Sequence, residues 1–298
     1  MPESVLILAG PTASGKTELA ISLARRFGAE IVGADSRQIY RGMPIGTAAP
    51  NVEQLAAVPH HLIGFLDPAE RYSAARFARD AVAAITAIAA RGRRAIVTGG
   101  TGFYIRALTG GVSLAPQHDR ALRDRLAHEA RVHEPAFLHA WLALRDSTRA
   151  AALDPNDSYR VLRALEVALA REDAEHPDVA ALTLANAGIP YVKLFLDVDL
   201  AENDARIEKR TDAMLAGGLI DEAERIGIEA VAASAVGYPQ ALAFLRGWSS
   251  YAETRLALAR ATRRYARRQR AWFRVEPQTH WVTPADLERT ARELLGWT

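Results

Sequence analysis

Gly10-Pro11-Thr12-Ala13-Ser14-Gly15-Lys16-Thr17 is the stretch on which the fold turns. It reads as a glycine, four free positions, then Gly-Lys-Thr, and it lies between an apolar run, Val5 to Ala9, and a helix-like stretch, Glu18 to Phe27. Strand, glycine loop and helix N-terminus therefore follow one another in the order that a phosphate cradle requires. In such a loop successive backbone N–H groups and the helix dipole converge on one point. Lys16 adds positive charge there, and the Thr17 hydroxyl is within reach of a magnesium ion. A di- or triphosphate suits that point. Lys16 is one of three lysines, with Lys193 and Lys209, among 37 basic residues, so a chance Gly-Lys-Thr is rarer here than in an average composition. The loop alone does not say which phosphate it holds.

Moving outward, Glu30 to Ala34 is a second apolar strand that runs into Asp35-Ser36-Arg37-Gln38-Ile39-Tyr40. Open α/β sheets bind ligands at the carboxyl ends of their strands, which puts Asp35 in the same site as the loop. Arg41 to His61 carries Gly42, Pro44, Gly46, Pro50 and Pro59 with little periodicity. It reads as a long surface excursion, of a length that usually has a function. Ser73 caps an alanine-rich helix that ends at Gly92, with Phe77, Ala81, Ile85 and Ile88 forming its apolar face. Arg94 to Thr98 is a third strand and enters Gly99-Gly100-Thr101-Gly102. The β-α-β order predicts a doubly wound parallel sheet. Thr101 opens the helix Phe103 to Leu108 and is either its cap or part of the site; its place at another strand end favours the site.

From Pro116 to Thr183 strand signals vanish, and Arg120 to Arg131, Pro135 to Leu144 and Arg160 to Arg171 are helical in pattern. An all-helical insertion, 116–183, is thus expected within a core made of 1–115 and 184–298. A strand, Val192 to Val198, resumes the α/β pattern and is followed by the helix Glu202 to Leu215 and the break Gly217-Gly218. A basic helix, a short strand at His280 to Val282 and a helix from Pro284 close the chain.

Hydrophobic content of 49% and charged content of 24% are those of a soluble globular protein. No apolar run is long enough to span a bilayer, the absence of cysteine excludes disulfides and thiolate zinc sites, and the strand at Val5 leaves no room for a signal peptide; a cytoplasmic protein is expected. The net charge of +2 carries no argument for nucleic acid, but its distribution does. Arg255 to Arg274 holds eight arginines and no acidic residue. At about 100° per residue, Arg263, Arg267, Arg270 and Arg274 form one stripe flanked by Arg260 and Arg264, opposite Leu258, Tyr265 and Trp272. A row of cations is either a solvated basic face or a seat for repeated phosphates, and the lack of interleaved glutamates favours the phosphates of a nucleic acid. Arg206 and Arg210 share a helical face and either clamp phosphate oxygens or, for Arg206, pair with Glu202. Asp154 to Glu166 opens a helix capped by Asp157 or Ser158, with Arg160 and Arg163 on one face.

Taken together, GPTASGKT at 10–17, DSRQIY at 35–40, Gly42-Met43-Pro44-Ile45-Gly46-Thr47-Ala48, Gly99 to Thr101, Asn156 to Glu166, Val236-Gly237-Tyr238 and Arg268-Gln269 to Trp272-Phe273-Arg274 resemble the tRNA dimethylallyltransferases, also called isopentenyl-tRNA transferases, from about residue 5 to 282. The resemblance implies a P-loop NTPase-like parallel sheet flanked by helices, with a helical insertion over the tRNA anticodon stem-loop. The implied reaction moves a dimethylallyl group from dimethylallyl diphosphate to N6 of the adenosine just 3′ of the anticodon. It further implies that Gly10, Thr12, Ala13, Ser14, Gly15, Lys16 and Thr17 hold the diphosphate, with Mg²⁺ on Thr17, and that Asp35, Thr101, Lys16 and Arg210 are catalytic. Asp35, Ser36, Arg37, Gln38, Thr101, Arg123, Tyr159, Arg160, Arg163, Gly237, Tyr238, Arg267, Arg268, Gln269, Arg270, Trp272 and Arg274 are the implied tRNA contacts, and the chain is expected to act as a monomer. Two stretches depart from the family pattern: Pro239 stands where Arg or Lys is usual, and Arg171 to Pro177 where a Gly-Lys-Ser/Thr stretch is usual. Three rivals remain at this stage. A P-loop kinase leaves the basic helix without a use, a prenyltransferase of free adenine nucleotides needs neither insertion nor arginine row, and a non-catalytic RNA-binding regulator does not account for Asp35.

Overall fold

Val5–Ala9 is buried at every position, as a strand covered on both faces must be. In the computed structural model, which describes residues 3–111, 120–172 and 182–297, this strand (β1) starts the order α1 (Lys16–Phe27), β2 (Ala29–Gly33), α2 (Pro44–Thr47), α3 (Val52–Ala57), β3 (His60–His61), α4 (Ala74–Ala90), β4 (Arg94–Gly99) and α5 (Gly102–Leu108). Helices α6 (Arg120–Val132), α7 (Pro135–Arg145), α8 (Ser147–Ala151) and α9 (Ser158–Glu172) follow. The chain continues through β5 (Tyr191–Leu196), α10 (Leu200–Ala216), α11 (Leu219–Ile226), a 3₁₀ turn at Val231–Ser234, α12 (Tyr238–Leu245), α13 (Tyr251–Arg274), β6 (Thr279–Val282) and α14 (Leu287–Leu295). It divides into two compact units, Met1–Val112 with Leu182–Thr298, and Ser113–Ala181. The expected boundary between 115 and 116, and residues 173–177 of the divergent stretch, lie outside the described residues.

Among the described residues the sheet is six-stranded and wholly parallel, in the order β3-β2-β4-β1-β5-β6. Register explains why three distant turns meet. Ala9 lies opposite Gly99, and Gly33 opposite Thr98, so β1, β2 and β4 end level with one another and discharge their loops at one edge. Gly99 must lack a side chain there, because a Cβ would stand 2.1 Å from the Ala34 carbonyl oxygen. The core beneath joins Leu6, Leu8, Leu23, Ile31, Ile96 and Leu194 across the sheet to Leu287 of α14.

Two regions differ from the sequence reading. Arg41 to His61 is not a bare excursion: it holds α2, α3 with an Asn51–Gln54 capping box, and the edge strand β3 paired with Ile31 and Val32. A two-residue strand leaves no period to read. The second is 219–245, to which the sequence reading assigns no element. It forms α11 and α12, which pack Leu219, Ala223, Tyr238 and Ala241 on Ile39, Tyr40 and Met43. Tyr238, expected at an RNA surface, is fully buried, and its hydroxyl donates to Glu222 at 2.7 Å; the aromatic body is core and its polar tip is satisfied internally. The helical unit has a core of its own, Leu122, Leu126, Leu138, Leu142, Val161 and Leu165. Asp157 rather than Ser158 caps α9, its Oδ1 accepting from the Arg160 N–H.

Candidate active site

The phosphate loop is bent by left-handed residues at Ala13 (φ 63°) and Gly15 (φ 85°), which turn the chain into α1. Lys16, the first residue of that helix, folds its ammonium back to donate to the Pro11 carbonyl at 2.7 Å. Burial pushes Lys16 down to about 8; the charge of Asp35 counters this and that of Arg210 adds to it. Arg210 is likewise lowered by burial and supported by Asp35. One carboxylate therefore faces two partly desolvated cations. Beside them the Ser14 hydroxyl and Arg210 Nε are buried with no hydrogen-bond partner among the described residues. Buried donors without acceptors are costly unless a ligand supplies the acceptor, and an anion supplies several. These groups border a cavity of about 540 Å³ whose walls run from Thr12 to Glu18, through Asp35 to Gln38, to Arg210, Tyr265 and Arg268.

The three strand-end turns are tied together by side chains. Asp35 Oδ1 accepts from the Arg37 N–H at 2.8 Å, and its Oδ2 has no protein donor among the described residues. Thr101 occupies the cap position of α5 yet makes no capping bond. Its Oγ1 accepts from the Ser36 N–H at 2.9 Å and donates to Ser36 Oγ at 3.3 Å. The hydroxyl therefore ties the Gly-Gly-Thr turn to the Asp35 turn. Asn203 Nδ2 donates to the Thr12 carbonyl at 3.1 Å, and Arg206 donates to the Ser14 carbonyl at 3.1 Å while pairing with Glu202. The two arginines that share a helical face thus divide their work: Arg206 braces the loop and Arg210 faces the cavity.

Gln269 corrects one expectation. It is buried, its Oε1 accepting from the Thr12 N–H at 2.8 Å and its Nε2 donating to the Gly100 carbonyl at 2.9 Å. Both ends of the carboxamide are committed to protein, so it staples the phosphate loop to the Gly-Gly-Thr turn and offers no free donor or acceptor to an RNA. Trp272 also packs inward: Arg106 lies 4.1 Å over its ring, and a Cβ on Gly102 would stand 2.3 Å from it.

The arginine row is corrected in the same way. Arg255 pairs with Glu208 and Asp212, Arg263 with Glu208, Arg267 with Asp204 at 3.6 Å, and Arg270 with Asp197 at 2.7 Å. Arg270 also donates to the Val198 carbonyl and lies over Trp281. Asp204, Glu208 and Asp212 recur every fourth residue along α10, so the stripe meets its counter-charges on an antiparallel neighbour far off in sequence. The arginines left exposed are Arg260, Arg264, Arg268 and Arg274, which form no ion pair among the described residues, and the loosely paired Arg267. In the helical unit Arg123 and Arg163 both reach Glu166, at 3.2 and 2.8 Å, Arg160 pairs with Asp157, and Tyr159 stands 80% exposed.

The chain is similar to known proteins over nearly its whole length. The family profile described as IPP transferase matches residues 38–276, and that of isopentenyl transferase residues 3–63. The tRNA dimethylallyltransferase of Anaeromyxobacter sp. (strain K) is 48% identical over 297 residues, covering 98% of this chain and 97% of the relative. That of Geobacter sulfurreducens is 41% identical over 290 residues, covering 95% and 93%. Among solved structures, the full-length tRNA isopentenylpyrophosphate transferase from Bacillus halodurans matches with a TM-score of 0.69 at 34% identity, covering 99% of this chain and 95% of that one. Such neighbours have a P-loop NTPase-like fold, and this sheet has it too. A level set of strand ends, a cationic phosphate loop and one carboxylate beside it thus sit within near full-length similarity, and the chain belongs to the tRNA dimethylallyltransferase (IPP transferase) family.

Proposed function

We propose that this prenyltransferase moves the dimethylallyl group of dimethylallyl diphosphate to N6 of the adenosine just 3′ of the anticodon of tRNA. The observation that carries this reading is Asp35: its uncommitted Oδ2 shares a cavity with two cations and the two partnerless donors of Ser14 and Arg210. The loop N–H groups, Lys16 and Arg210 hold the diphosphate. An adenine amino nitrogen is a weak nucleophile because its lone pair is delocalised into the ring. Asp35 accepts one of its hydrogens as the N–C bond forms and the C–O bond to diphosphate breaks. The proton stays on the carboxyl, and the charge gathering on the leaving group falls among donors fixed in place beforehand. Thr101 holds the Asp35 turn through Ser36. The target base must leave its stack to enter the cavity.

Among the described residues no cluster of three His, Asp or Glu side chains could cage a metal. Thr17 lines the cavity, and a hydroxyl plus ligand phosphate oxygens is a set that Mg²⁺ accepts. When bound there, the ion would neutralise part of the diphosphate charge. We place the RNA backbone on the exposed arginines of α13, with Arg123, Tyr159, Arg160 and Arg163 of the helical insertion meeting the anticodon stem-loop. In this reading the chain works as a monomer in the cytoplasm. No helix of the described residues is long and apolar enough to cross a membrane.

The direct test incubates the protein with unmodified tRNA, Mg²⁺ and labelled dimethylallyl diphosphate and then locates the label. Label on N6 of that adenosine is expected. Absence of label together with tight ATP binding would favour a kinase. For the RNA face, replacing Arg264 and Arg268 by Gln should lower the slope of log affinity against log salt by about 2, at about one unit per lost phosphate contact. The Arg263 and Arg270 pair, already neutralised, should leave that slope unchanged. Equal slopes for both double variants would remove the exposed arginines from the interface.

A further inference from the structure

Gly46, Thr47 and Ala48 form one wall of the cavity, and that wall is fastened from behind. Glu222 of α11 is fully buried and has no ion pair among the described residues. Its Oε2 accepts from the Ile45 N–H at 3.0 Å, and its Oε1 from the Gly46 N–H at 2.8 Å and the Tyr238 hydroxyl at 2.7 Å. Three donors converge on it, so only a group that purely accepts satisfies them all. The ring of Tyr238 closes the clamp: a Cβ on Gly46 would stand 2.6 Å from it. On the cavity side the carbonyls of Thr47 and Ala48 accept from Gln38 Nε2 at 3.2 and 3.1 Å. This commits the donors of the Gln38 carboxamide. Its Oε1 is left without a protein donor among the described residues, on a side chain that lines the cavity three positions after Asp35.

We propose that Glu222 is a positioning residue for base selection. By clamping the 44–48 wall it fixes Gln38 with its carboxamide oxygen, not its nitrogen, offered to the acceptor base. An oxygen there accepts from an exocyclic amino group and repels an exocyclic carbonyl, so the clamp favours an amino-bearing purine over an oxo-bearing one. With Glu222 altered, the wall shifts, the two carbonyls no longer hold Nε2, and the carboxamide is free to present either end. The inference rests on the transfer reaction proposed above.

The experiment compares anticodon stem-loops carrying adenosine or inosine at the target position, the first as substrate and the second as competitor, and measures dimethylallyl diphosphate affinity separately. In Glu222→Gln the new amide NH₂ replaces Oε2 and faces the Ile45 N–H, donor against donor. The KM for the adenosine RNA should rise about tenfold, the scale of one lost buried hydrogen bond. The preference for adenosine over inosine RNA should narrow about tenfold, and diphosphate affinity should stay within about twofold. Tyr238→Phe leaves both N–H acceptors in place and should change each quantity less than about threefold. If Glu222→Gln does not fold, Gly46→Ala, which drives the wall off the Tyr238 ring, carries the same expectation. An unaltered base preference in the folded variants overturns the proposal, as does a parallel fall in diphosphate affinity, which would make the clamp a general scaffold. Failure of the unaltered protein to transfer at all would instead overturn the reaction on which it rests.

Discussion

Asp35→Asn is expected to slow prenyl transfer about 100- to 10,000-fold, the range a positioned proton acceptor supplies, while dimethylallyl diphosphate binds at least as tightly as before. The sign of the second effect follows from the charges around the residue. Asp35 is the carboxylate that offsets Lys16 and Arg210 in the cavity. Replacing it with a neutral amide of the same shape keeps the hydrogen bond from the Arg37 N–H and removes the anion that competes with diphosphate for those cations. The same loss lowers Lys16 further, since Asp35 is what raises it. Affinity is therefore best compared well below pH 8, because Lys16 of the variant loses its proton at a lower pH than Lys16 of the unaltered protein. Single-turnover label transfer and calorimetry give the two numbers. A full transfer rate would end the role assigned to Asp35, and a diphosphate affinity that falls in step with the rate would make it a binding residue.

Gln269→Leu should have the next largest effect, and on a different quantity. The substitution keeps most of the volume and strands two backbone groups, the buried Gly100 carbonyl and the part-buried Thr12 N–H at the cavity wall. At about 1–3 kcal/mol for each unsatisfied group, the loss in unfolding free energy is about 2–6 kcal/mol. Diphosphate affinity should fall with it, because Thr12 belongs to the loop that cradles the ligand. The slope of RNA affinity with salt should not change. Denaturant unfolding reads the first effect and calorimetry the second. Unchanged stability with weakened RNA binding would return Gln269 to the RNA face.

Asp35, the glycine loop and the Gly-Gly-Thr turn were legible in the sequence because each is a short motif at the end of a strongly apolar strand, and parallel register brings such ends together without further instruction. What stayed hidden depends on pairings across the fold. The acids of α10 lie about fifty residues before the arginines they neutralise, and no local window contains both. Glu222 is an ordinary acidic residue until α2 is folded against it. His60–His61 is too short to carry a pattern. Gln269 did leave a trace: at about 100° per residue it lies about 20° from Leu258, on the apolar side of an otherwise arginine-rich helix. A carboxamide in that position announces a buried pairing, not an exposed one.

The ion-pair ladder between α10 and α13 has a consequence for how a polyanion arrives. One flank of α13 carries arginines facing solvent, and the other borders a row of carboxylates whose cations are already engaged. A phosphate chain drifting toward α10 meets guanidinium groups already shared with carboxylates; one drifting the other way meets unshared guanidinium groups. In the reading proposed above, the helix offers an incoming RNA one flank of unshared cations and one flank of neutralised pairs. The heading of that RNA is fixed by a lateral gradient of charge, which a uniformly basic helix would not provide.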